Sequence, residues 1–346
     1  MKTKNVFLLI VTVSVFLVAC TPFGGGDDFD AKDFDVNDVY YVLNSGDAKS
    51  NNSSLTKYDA ATGLVEQGLF EKQNGRVLGN TANDIVVYGS KMYISVTGES
   101  TIEVVDLCVR SIKQVRCEAQ PRYMAVDGGK VYISYYNGHV ARLDTATLNV
   151  EAKVKVGRNP EQLAVVGNRL YVANSGGLDW NTPVGYDKTV SVIDLLSFEE
   201  IKKIDVVLNP NLIIAADKGV FVISVGNYVD VPATLQYINA ADDAVSEITE
   251  FAGVTEACYN KGVIYGFSWN PSYMSYNIVS RDVDSHWIKE QELPRSPYKL
   301  CSAGEYVCVT ESDYINDGDV SIYDTDGMLV KKIAVGLNPI KIVKAK

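Results

Sequence analysis

Few residues of this sequence are of the types and spacings that carry acid–base or nucleophilic chemistry. The chain has only two histidines, His139 and His286, which lie far apart in sequence. Neither has a serine, cysteine or carboxylate partner at a spacing that would form a nucleophile and its base. The motifs of serine hydrolases, zinc proteases and phosphate-binding loops are absent from the sequence. We therefore expect a protein that is not an enzyme and that needs no cofactor or metal.

One acidic stretch has the composition of a calcium-binding loop. Residues Asp313 to Asp319 read DYINDGD and offer several carboxylate and amide oxygens. The spacing departs from the EF-hand pattern, because Ile315 stands where that pattern requires an acid or amide. A solvated acidic loop is the favoured interpretation, and calcium binding is the alternative.

The cysteines do not follow a metal-binding or disulfide-framework pattern. Five of them follow the N-terminal segment: Cys108, Cys117, Cys258, Cys301 and Cys308. Their number is odd, and no CxxC spacing occurs. The one candidate disulfide joins Cys301 to Cys308, which a tight turn at Gly304 and Glu305 would place on adjacent strands. Because buried free cysteine is common, the bond is left open.

The N-terminal segment has the organisation of a secretory signal. Two lysines precede an apolar run of 14 residues, Val6 to Ala19, that ends at Cys20. The run is shorter than the ~20 residues that a membrane-spanning helix needs. The residues LVAC resemble the lipobox of bacterial lipoproteins, which implies that residues 1–19 are removed and that Cys20 is acylated. An ordinary signal peptide followed by a free cysteine is the alternative.

Residues 20–37 are expected to form a flexible tether. The stretch up to Asp38 has three consecutive glycines and six aspartates against one lysine, and such a composition cannot bury a core. Thr21 stands where an aspartate would resemble the inner-membrane retention signal of enteric lipoproteins. We therefore expect an outer-membrane lipoprotein, held by its N-terminal acyl anchor and exposed at the cell surface, with a periplasmic orientation left open.

The body of the protein is acidic. The formal net charge of −11 becomes −13 when residues 1–19, with two lysines and no acids, are removed. Because an acidic surface repels phosphate backbones, a nucleic-acid partner is not expected.

A repeated unit runs through this body. An eleven-residue step connects Pro160 to Tyr171, and the same step recurs from Pro121, Pro210 and Pro297. The apolar end of the step recurs at spacings of 39 to 52 residues, at Tyr41, Tyr93, Tyr132, Tyr171, Phe221, Tyr265 and Cys308. A second alternating run in each unit ends on an acid or amide, at Asp59, Asp106, Asp144, Asp194, Asn239, Asp282 and Asp324.

The repeat predicts an all-β fold. Runs that alternate apolar and polar residues indicate four strands per unit, and almost nothing has helical periodicity. Seven units of four strands predict a seven-bladed β-propeller over residues 38–346. Proline lacks an N–H and suits the first residue of a strand, with an extended residue before it. Asn-Pro therefore marks the crossing from the outer strand of one blade to the inner strand of the next.

The two ends of the body complete each other. The chain begins at Tyr40 and Tyr41 with a second strand that lacks an inner partner, and it ends in an inner strand that lacks its blade. We expect Pro339 to Lys346 to be the innermost strand of the first blade, which closes the ring without a free edge.

Length variation and large aromatic residues are both concentrated between the second and third strands. In a propeller these loops share one face with the Asn-Pro crossings; we call it the top face, and the opposite face the bottom face. Long aromatic loops on a rigid scaffold favour binding, and rings that only cover the blade tips are the alternative. The candidate ligand-binding residues are Arg122, Tyr136, Arg158, Asn159, Trp180, Tyr186, Asn209, Tyr228, Trp269, Tyr273, Arg295 and Tyr314.

The unit NPEQLAVVGNRLYVANSG with TVSVIDLLSFEEIKKIDV resembles the YVTN or YncE-like propeller repeat, over Tyr40 to Lys346. Within that family, the segment Tyr58 to Val87 and the stretches PRYMAV and DGMLVKKIAVGLNP are similar to surface lipoproteins of gut anaerobes that sit on TonB-dependent transporters. The best known of these capture cobalamin. The resemblance implies a small ligand, with a corrinoid the leading guess, and an outer-membrane TonB-dependent transporter as partner.

The sequence leaves three alternative functions to be tested. In the first, the protein binds a small ligand on its top face, where a flat macrocycle or a polysaccharide fragment would suit tyrosine and tryptophan rings. In the second, it is an interaction scaffold that grips a partner protein and no small molecule. The third, an enzyme such as a lactonase or lyase, would need a metal and is least favoured.

Overall fold

A computed structural model describes residues 39–268, 273–277, 282–289 and 293–345. The strands form seven antiparallel sheets of four strands each, arranged in a ring. This architecture confirms the seven-bladed β-propeller. The predicted signal segment, Cys20, the tether and Trp269 lie outside the described residues. Among the residues that are described, no helix is long and apolar enough to span a membrane.

The inner and second strands of each blade carry the repeated step. The innermost strands begin at the proline position or its equivalent; they are β4 (Ala82–Tyr88), β8 (Pro121–Asp127), β12 (Pro160–Val166), β16 (Pro210–Ala216), β20 (Val254–Asn260), β24 (Pro297–Ala303) and β28 (Pro339–Lys344). The third residue of each second strand is the apolar end of the eleven-residue step, which we call the ruler residue. The second strands are β1 (Val39–Asn44), β5 (Lys91–Val96), β9 (Lys130–Tyr135), β13 (Arg169–Asn174), β17 (Gly219–Ser224), β21 (Val263–Ser268) and β25 (Tyr306–Glu311). All these ruler residues are buried.

The third and outer strands complete the blades. The third strands are β2 (Ser54–Asp59), β6 (Thr101–Asp106), β10 (His139–Asp144), β14 (Thr189–Asp194), β18 (Thr234–Asn239), β22 (Tyr273–Asn277) and β26 (Asp317–Tyr323). The outer strands are β3 (Val65–Glu66), β7 (Ser111–Arg116), β11 (Val150–Lys155), β15 (Glu199–Asp205), β19 (Val245–Glu247), β23 (Val283–Asp284) and β27 (Leu329–Leu337). We number the blades 1 to 7 along the chain, so that β1 to β3 belong to blade 1. Helix α1 (Leu69–Asn74) lies between β3 and β4, and short 3-10 helices span Gly177–Asp179 and Thr249–Phe251.

The hydrophobic core is divided among the spaces between adjacent blades. Tyr40 and Val42 of blade 1, for example, are buried together with Val320 and Ile322 of blade 7. The second strands are buried along nearly their whole length, whereas outer strands such as β11 alternate exposed and half-buried residues. Because both faces of each sheet pack on a neighbour, the central strands are almost continuously apolar and only the rim shows alternation.

The last strand closes the ring as predicted. β28 pairs with β1, with Tyr41 opposite Val343 and Val42 opposite Ile342. The sheet of blade 1 has the order β28, β1, β2, β3. The N-terminal and C-terminal ends of the body therefore share one blade, and β28 covers the backbone edge of β1.

The prediction of an extended residue before each proline is wrong at the Asn-Pro crossings. Asn159, Asn209 and Asn338 have φ angles of 44°, 60° and 54°, in the left-handed region. Asparagine tolerates this conformation because its short side chain bonds locally. Asn209 Nδ2 donates to the carbonyl of Gly226 at 3.2 Å, and Asn338 Nδ2 donates to that of Gly46 at 2.9 Å. These asparagines tie each crossing to the loop after the second strand.

The predicted end of the third strand in blade 6 is also wrong. β22 ends at Asn277, which pairs with Val263, whereas Asp282 lies between β22 and β23. In five of the other six blades the strand ends at the predicted residue, as at Asp194, which ends β14 and pairs with Arg169 at the start of β13. In blade 7, β26 ends at Tyr323, one residue before the predicted Asp324. The error arose because an acid followed the apolar alternation of blade 6 a few residues later than the strand end.

Cys301 and Cys308 face each other across β24 and β25, as the tight turn predicted. Both are buried free thiols in this structure. Burial raises the pKa of the Cys301 thiol to about 11, so it is protonated near neutral pH.

Candidate functional site

Each inner strand contains a register shift directly after its first residue. In β12, Pro160 pairs with Asn174, and the next paired residue is Leu163. The other inner strands show the same irregularity. Such a bulge interrupts the alternation of side chains and re-aims them. Consecutive residues, such as Tyr298 and Lys299 in β24, therefore line the same central space.

The inner strands enclose a cavity of about 470 Å³, which we call the axial cavity. Residues from all seven inner strands line it. Its charged side chains form ion pairs between the inner strands of adjacent blades. The axis of the ring is therefore polar, although the spaces between blades are apolar.

The ion pair of Arg122 with Glu161 joins β8 to β12. Arg122 Nη2 lies 2.8 Å from Glu161 Oε2, and Nε lies 3.1 Å from the same oxygen. The guanidinium also lies 4.5 Å from the ring centre of Tyr136. Burial opposes the charge of Arg122, but Glu161 and the adjacent tyrosines hold its pKa above the ordinary value. Burial also raises the pKa of Glu161, against the lowering effect of Arg122.

Two further pairs cross the blades at the axis. Lys341 Nζ lies 2.6 Å from Asp84 Oδ1, which joins β28 to β4, and the ammonium of Lys299 donates to Glu256, which joins β24 to β20. Burial lowers the pKa of Lys299, but Glu256 and Tyr123 raise it more in sum, so it lies above the ordinary value. Lys299 therefore remains cationic and paired with Glu256 at neutral pH.

A second cavity of about 720 Å³ opens on the top face over blades 5, 6 and 7; we call it the top cavity. Its wall includes the rings of Tyr228, Tyr298 and Tyr314. Glu256, Tyr298 and Lys299 line both cavities. The two spaces therefore meet at the Lys299–Glu256 ion pair.

An Asx turn after β17 presents Tyr228 to this cavity. Asn227 Oδ1 accepts the backbone N–H groups of Val229 and Asp230, each at 3.1 Å. Asn227 Nδ2 donates to Asp230 Oδ1 at 2.7 Å. The turn places Tyr228 at its corner with 68% of the residue exposed.

The same turn recurs after β25 with Tyr314 at its corner. Asp313 Oδ1 accepts the N–H groups of Ile315 and Asn316 at 2.9 and 2.7 Å, and Asn316 Nδ2 donates to Asp313 Oδ2 at 2.7 Å. These bonds lower the pKa of Asp313 to about 2. The carboxylate that suggested a calcium ligand therefore organises its own loop. Among the described residues, no group of three or more His, Cys, Asp or Glu side chains could hold a metal.

Both corner tyrosines have a strained backbone. The φ angles of Tyr228 and Tyr314 are 61° and 65°. A bulky residue in this left-handed region costs about 1–3 kcal/mol and persists where the surroundings enforce it, often at functional sites. The Tyr314 ring also lies edge-on to Tyr298, with ring centres 5.3 Å apart. The turns thus hold exposed rings in defined positions.

Four candidate residues lie in or beside the loop between β13 and β14 of blade 4. Arg158 Nη1 donates to Asp179 Oδ2 at 2.6 Å, so its charge is matched there. Asn159 Nδ2 donates to the carbonyl of Tyr136 at 3.3 Å. Trp180 is exposed and Tyr186 is half-buried. None of Arg158, Asn159, Trp180 and Tyr186 lines the axial or the top cavity, and ligand binding by them remains a prediction.

The other candidates separate into three places. Tyr228, Arg295 and Tyr314 line the top cavity, and Arg122 lines the axial cavity. Asn209 and Tyr136 line neither cavity: Asn209 is buried at a crossing, and Tyr136 lies between β9 and β10 and contacts Arg122.

Tyr273 is not on the top surface, contrary to the prediction. It belongs to β22, has 3% of its surface exposed, and donates from its hydroxyl to the carbonyl of Pro294 at 3.3 Å. Its ring packs on Phe267 in the core between blades 6 and 7. An alternating apolar strand was mistaken for a loop because the strand follows a segment rich in aromatic residues.

The two histidines line neither cavity. His139 Nδ1 lies 3.2 Å from Asn137 Oδ1, and His286 Nδ1 lies 2.9 Å from Ser285 Oγ. Both contacts are exposed and local in sequence.

Sequence reasoning missed Tyr298, Lys299 and Glu256, which connect the two cavities. The signal that could have found them was the proline that begins each eleven-residue step. Tyr298 and Lys299 directly follow Pro297, and Glu256 holds the position equivalent to Lys299. It also missed the recurrence of an Asx-Tyr-Val/Ile-Asx stretch, NYVD at 227–230 and DYIN at 313–316.

Comparison with known proteins supports the fold. Residues 38–182 match the model of a family described as a domain of unknown function (DUF5074), which covers less than half of the chain. No curated protein matches the chain significantly.

Several solved structures share the architecture. The computationally designed protein Ika8 has a TM-score of 0.59 at 9% identity, over 87% of this chain and 89% of that chain. Apo AztD from Citrobacter koseri has a TM-score of 0.55 at 11% identity, over 88% and 96%. BamB from Moraxella catarrhalis has a TM-score of 0.52 at 12% identity, over 85% and 81%. At such low identity, these likenesses show the fold alone.

Proposed function

We propose that this protein is a non-enzymatic binding lipoprotein of the cell envelope. It holds a small ligand, with a corrinoid as the leading candidate, in the top cavity and passes it to an outer-membrane TonB-dependent transporter. The observation that carries the proposal is the pair of exposed tyrosine rings, Tyr228 and Tyr314, held by strained turns on the wall of one cavity.

The composition of the top cavity suits a flat and partly apolar ligand. Its volume of about 720 Å³ lies within the roughly 300–1,000 Å³ that is typical of ligand sites. Tyr228 and Tyr314 offer ring surfaces for stacking, and Asn211 and Thr255 add polar groups to the wall. A corrinoid is placed first because the segment Tyr58 to Val87 and the stretches PRYMAV and DGMLVKKIAVGLNP resemble those of cobalamin-capturing lipoproteins. A polysaccharide fragment would use the same groups.

The titratable pair in this cavity favours binding over catalysis. Lys299 and Glu256 neutralise each other in an ion pair, and the raised pKa of Lys299 opposes a role as a neutral base. In the proposal these two residues orient a ligand and do not transfer a proton to it.

The point where the chain enters the propeller supports ligand capture above a membrane. β1 begins at Val39, opposite Asp59, which caps a bottom turn. It ends at Asn44, and the N–H of Ser45 then donates to the carbonyl of Asn338 at a top crossing, at 2.8 Å. The chain therefore enters from the bottom face. If residues 20–37 are an acylated tether, the top cavity lies on the face away from the attachment point.

Isothermal titration of the body, residues 38–346, with cobalamin and with cobinamide tests the proposal. We expect saturable binding of one ligand per protein. Absence of heat with both ligands, from protein whose circular dichroism shows a folded β structure, would remove the corrinoid assignment.

Exposed aliphatic residues beside the tyrosines support a second candidate, an interaction scaffold with no small ligand. Val229 and Ile315 are 89% and 80% exposed at the tips of the two Asx turns. Exposed apolar tips favour contact with another protein. Copurification from detergent-solubilised outer membranes, compared between wild type and a Val229→Ser, Ile315→Ser variant, separates this candidate from the first. Loss of a transporter from the variant, together with no corrinoid binding by the wild type, would favour the scaffold.

A further inference from the structure

Arg295 contributes to the top cavity a charge that the described part of the chain does not neutralise. Its backbone N–H donates to Glu311 Oε2 at 3.0 Å, and the other oxygen of Glu311 lies 2.6 Å from Lys332 Nζ. The Arg295 side chain is exposed on the cavity wall and has no acceptor among the described residues. A guanidinium offers a planar fork of N–H donors that matches a phosphate or carboxylate.

The other charged groups of this wall have partners within the protein. Lys299 is paired with Glu256. Both oxygens of Asp313 accept hydrogen bonds from its own turn, from Ile315 and Asn316. Arg295 is therefore the charged side chain of the described wall that remains for a ligand.

The rings beside this charge are fixed but uncovered. Tyr298 and Tyr314 meet edge to face at an interplanar angle of 73°, and Lys299 Nζ lies 5.7 Å from the Tyr298 ring centre. These contacts orient Tyr314 while 65% of it stays exposed. One cavity thus combines open aromatic surface with a cation that has no partner among the described residues.

We infer that the top cavity selects ligands that join a flat ring system to an anionic phosphate or carboxylate, with the ring against Tyr228 or Tyr314 and the anion on Arg295. This inference rests on the proposed function, which places the ligand in the top cavity, and it specifies the class of ligand.

Two matched pairs of probes test the role of the anion. Cobalamin carries a phosphodiester in its nucleotide loop, and cobinamide lacks that loop; flavin mononucleotide carries a phosphate that riboflavin lacks. Affinities for the four probes are measured by titration calorimetry with the full chain in detergent, for wild type and Arg295→Gln. Lys188→Gln is the matched control, because it removes an exposed cation of the top face that does not line the cavity.

We expect wild type to bind the phosphate-bearing member of at least one pair about tenfold more tightly than its partner. Arg295→Gln should abolish this preference, and Lys188→Gln should keep it. A preference that survives in Arg295→Gln, equal affinities within both pairs, or no binding of any probe would overturn the inference. Failure of both corrinoids, with Arg295-dependent binding of flavin mononucleotide, would reject the corrinoid assignment and support the ligand class.

Discussion

Tyr228 and Tyr314 occupy the same corner of the same Asx turn on blades 5 and 7, and both line one cavity. They are 86 residues apart in sequence. Covering a blade tip does not require a bulky residue with a left-handed backbone, and the repeated strain therefore favours a functional placement of both rings. The turn chemistry explains how the strain is maintained, since an Asn or Asp side chain bonds the next N–H groups in each case.

Glycine at position 314 should stabilise the fold and weaken binding. Glycine adopts the φ of 65° without steric cost, so Tyr314→Gly should raise the free energy of unfolding by about 1 kcal/mol. Denaturant unfolding measures this change, and Tyr314→Ala is the matched control because it loses the ring but keeps the strain. Equal stabilities of the glycine and alanine variants would contradict the strain argument.

Removing either corner ring should weaken corrinoid binding by about tenfold, because each ring supplies stacking surface. Titration calorimetry of Tyr228→Ala and Tyr314→Ala measures this effect. Trp180→Ala is the aromatic control, since Trp180 is exposed on the top face and does not line the top cavity. A larger loss from Trp180→Ala than from the tyrosine variants would move the ligand site to the loop of blade 4.

Glu161→Gln should destabilise the propeller by about 3 kcal/mol, because it leaves the buried charge of Arg122 without its counter-ion. Urea unfolding followed by circular dichroism measures the loss. Glu305→Gln breaks the exposed pair with Lys261 and should cost much less, because water and salt screen an exposed ion pair. A similar cost for both variants would mean that the axial pair is not shielded from water.

Acid should release the turn that holds Tyr314. The pKa of Asp313 is lowered from 3.8 to about 2 by hydrogen bonds from its loop. A lowered carboxyl pKa contributes stability that is fully present above the unfolded value and is lost as pH falls through the folded value, here from about 4 to about 2. The amide signals of Ile315 and Asn316, followed by nuclear magnetic resonance, should shift in this range.

The Asp313→Asn variant is the control for this titration, since asparagine keeps the acceptor oxygen and does not protonate there. Its amide signals should stay constant over the same range. A wild-type midpoint at the ordinary value of 3.8 would show that the carboxylate does not organise the turn.

A chain that ends at Leu337 should fail to form a stable ring. Loss of β28 would expose the backbone edge of β1 and uncover buried Tyr40 and Val42. We expect aggregation or loss of cooperative thermal unfolding. A synthetic peptide of residues 338–346 added in trans should restore the transition, and a cooperative transition without it would contradict the closure.

The architecture of this protein could be predicted because it depends on local patterns. Pro160 and Pro297 each begin an inner strand, and Tyr171 lies in the second strand, as the eleven-residue step predicted. The closing role of residues 339–344 followed from counting strands at the two ends. Alternation and proline sterics act between neighbours in the chain, so one sequence displays them directly. Around Asp282, where the alternation was less regular, the predicted end of the third strand lay beyond the observed end.

The assembly of the site was decided only by the tertiary structure. The ring brings Arg122 to Glu161 across two blades and gathers Tyr228, Arg295 and Tyr314 around one cavity. These contacts depend on the curvature of the ring and on bulges that re-aim side chains. Burial and charge pairing, which set the pKa values, act through space between residues far apart in the chain. A local sequence pattern reports what each strand is, but it does not report which strands face each other.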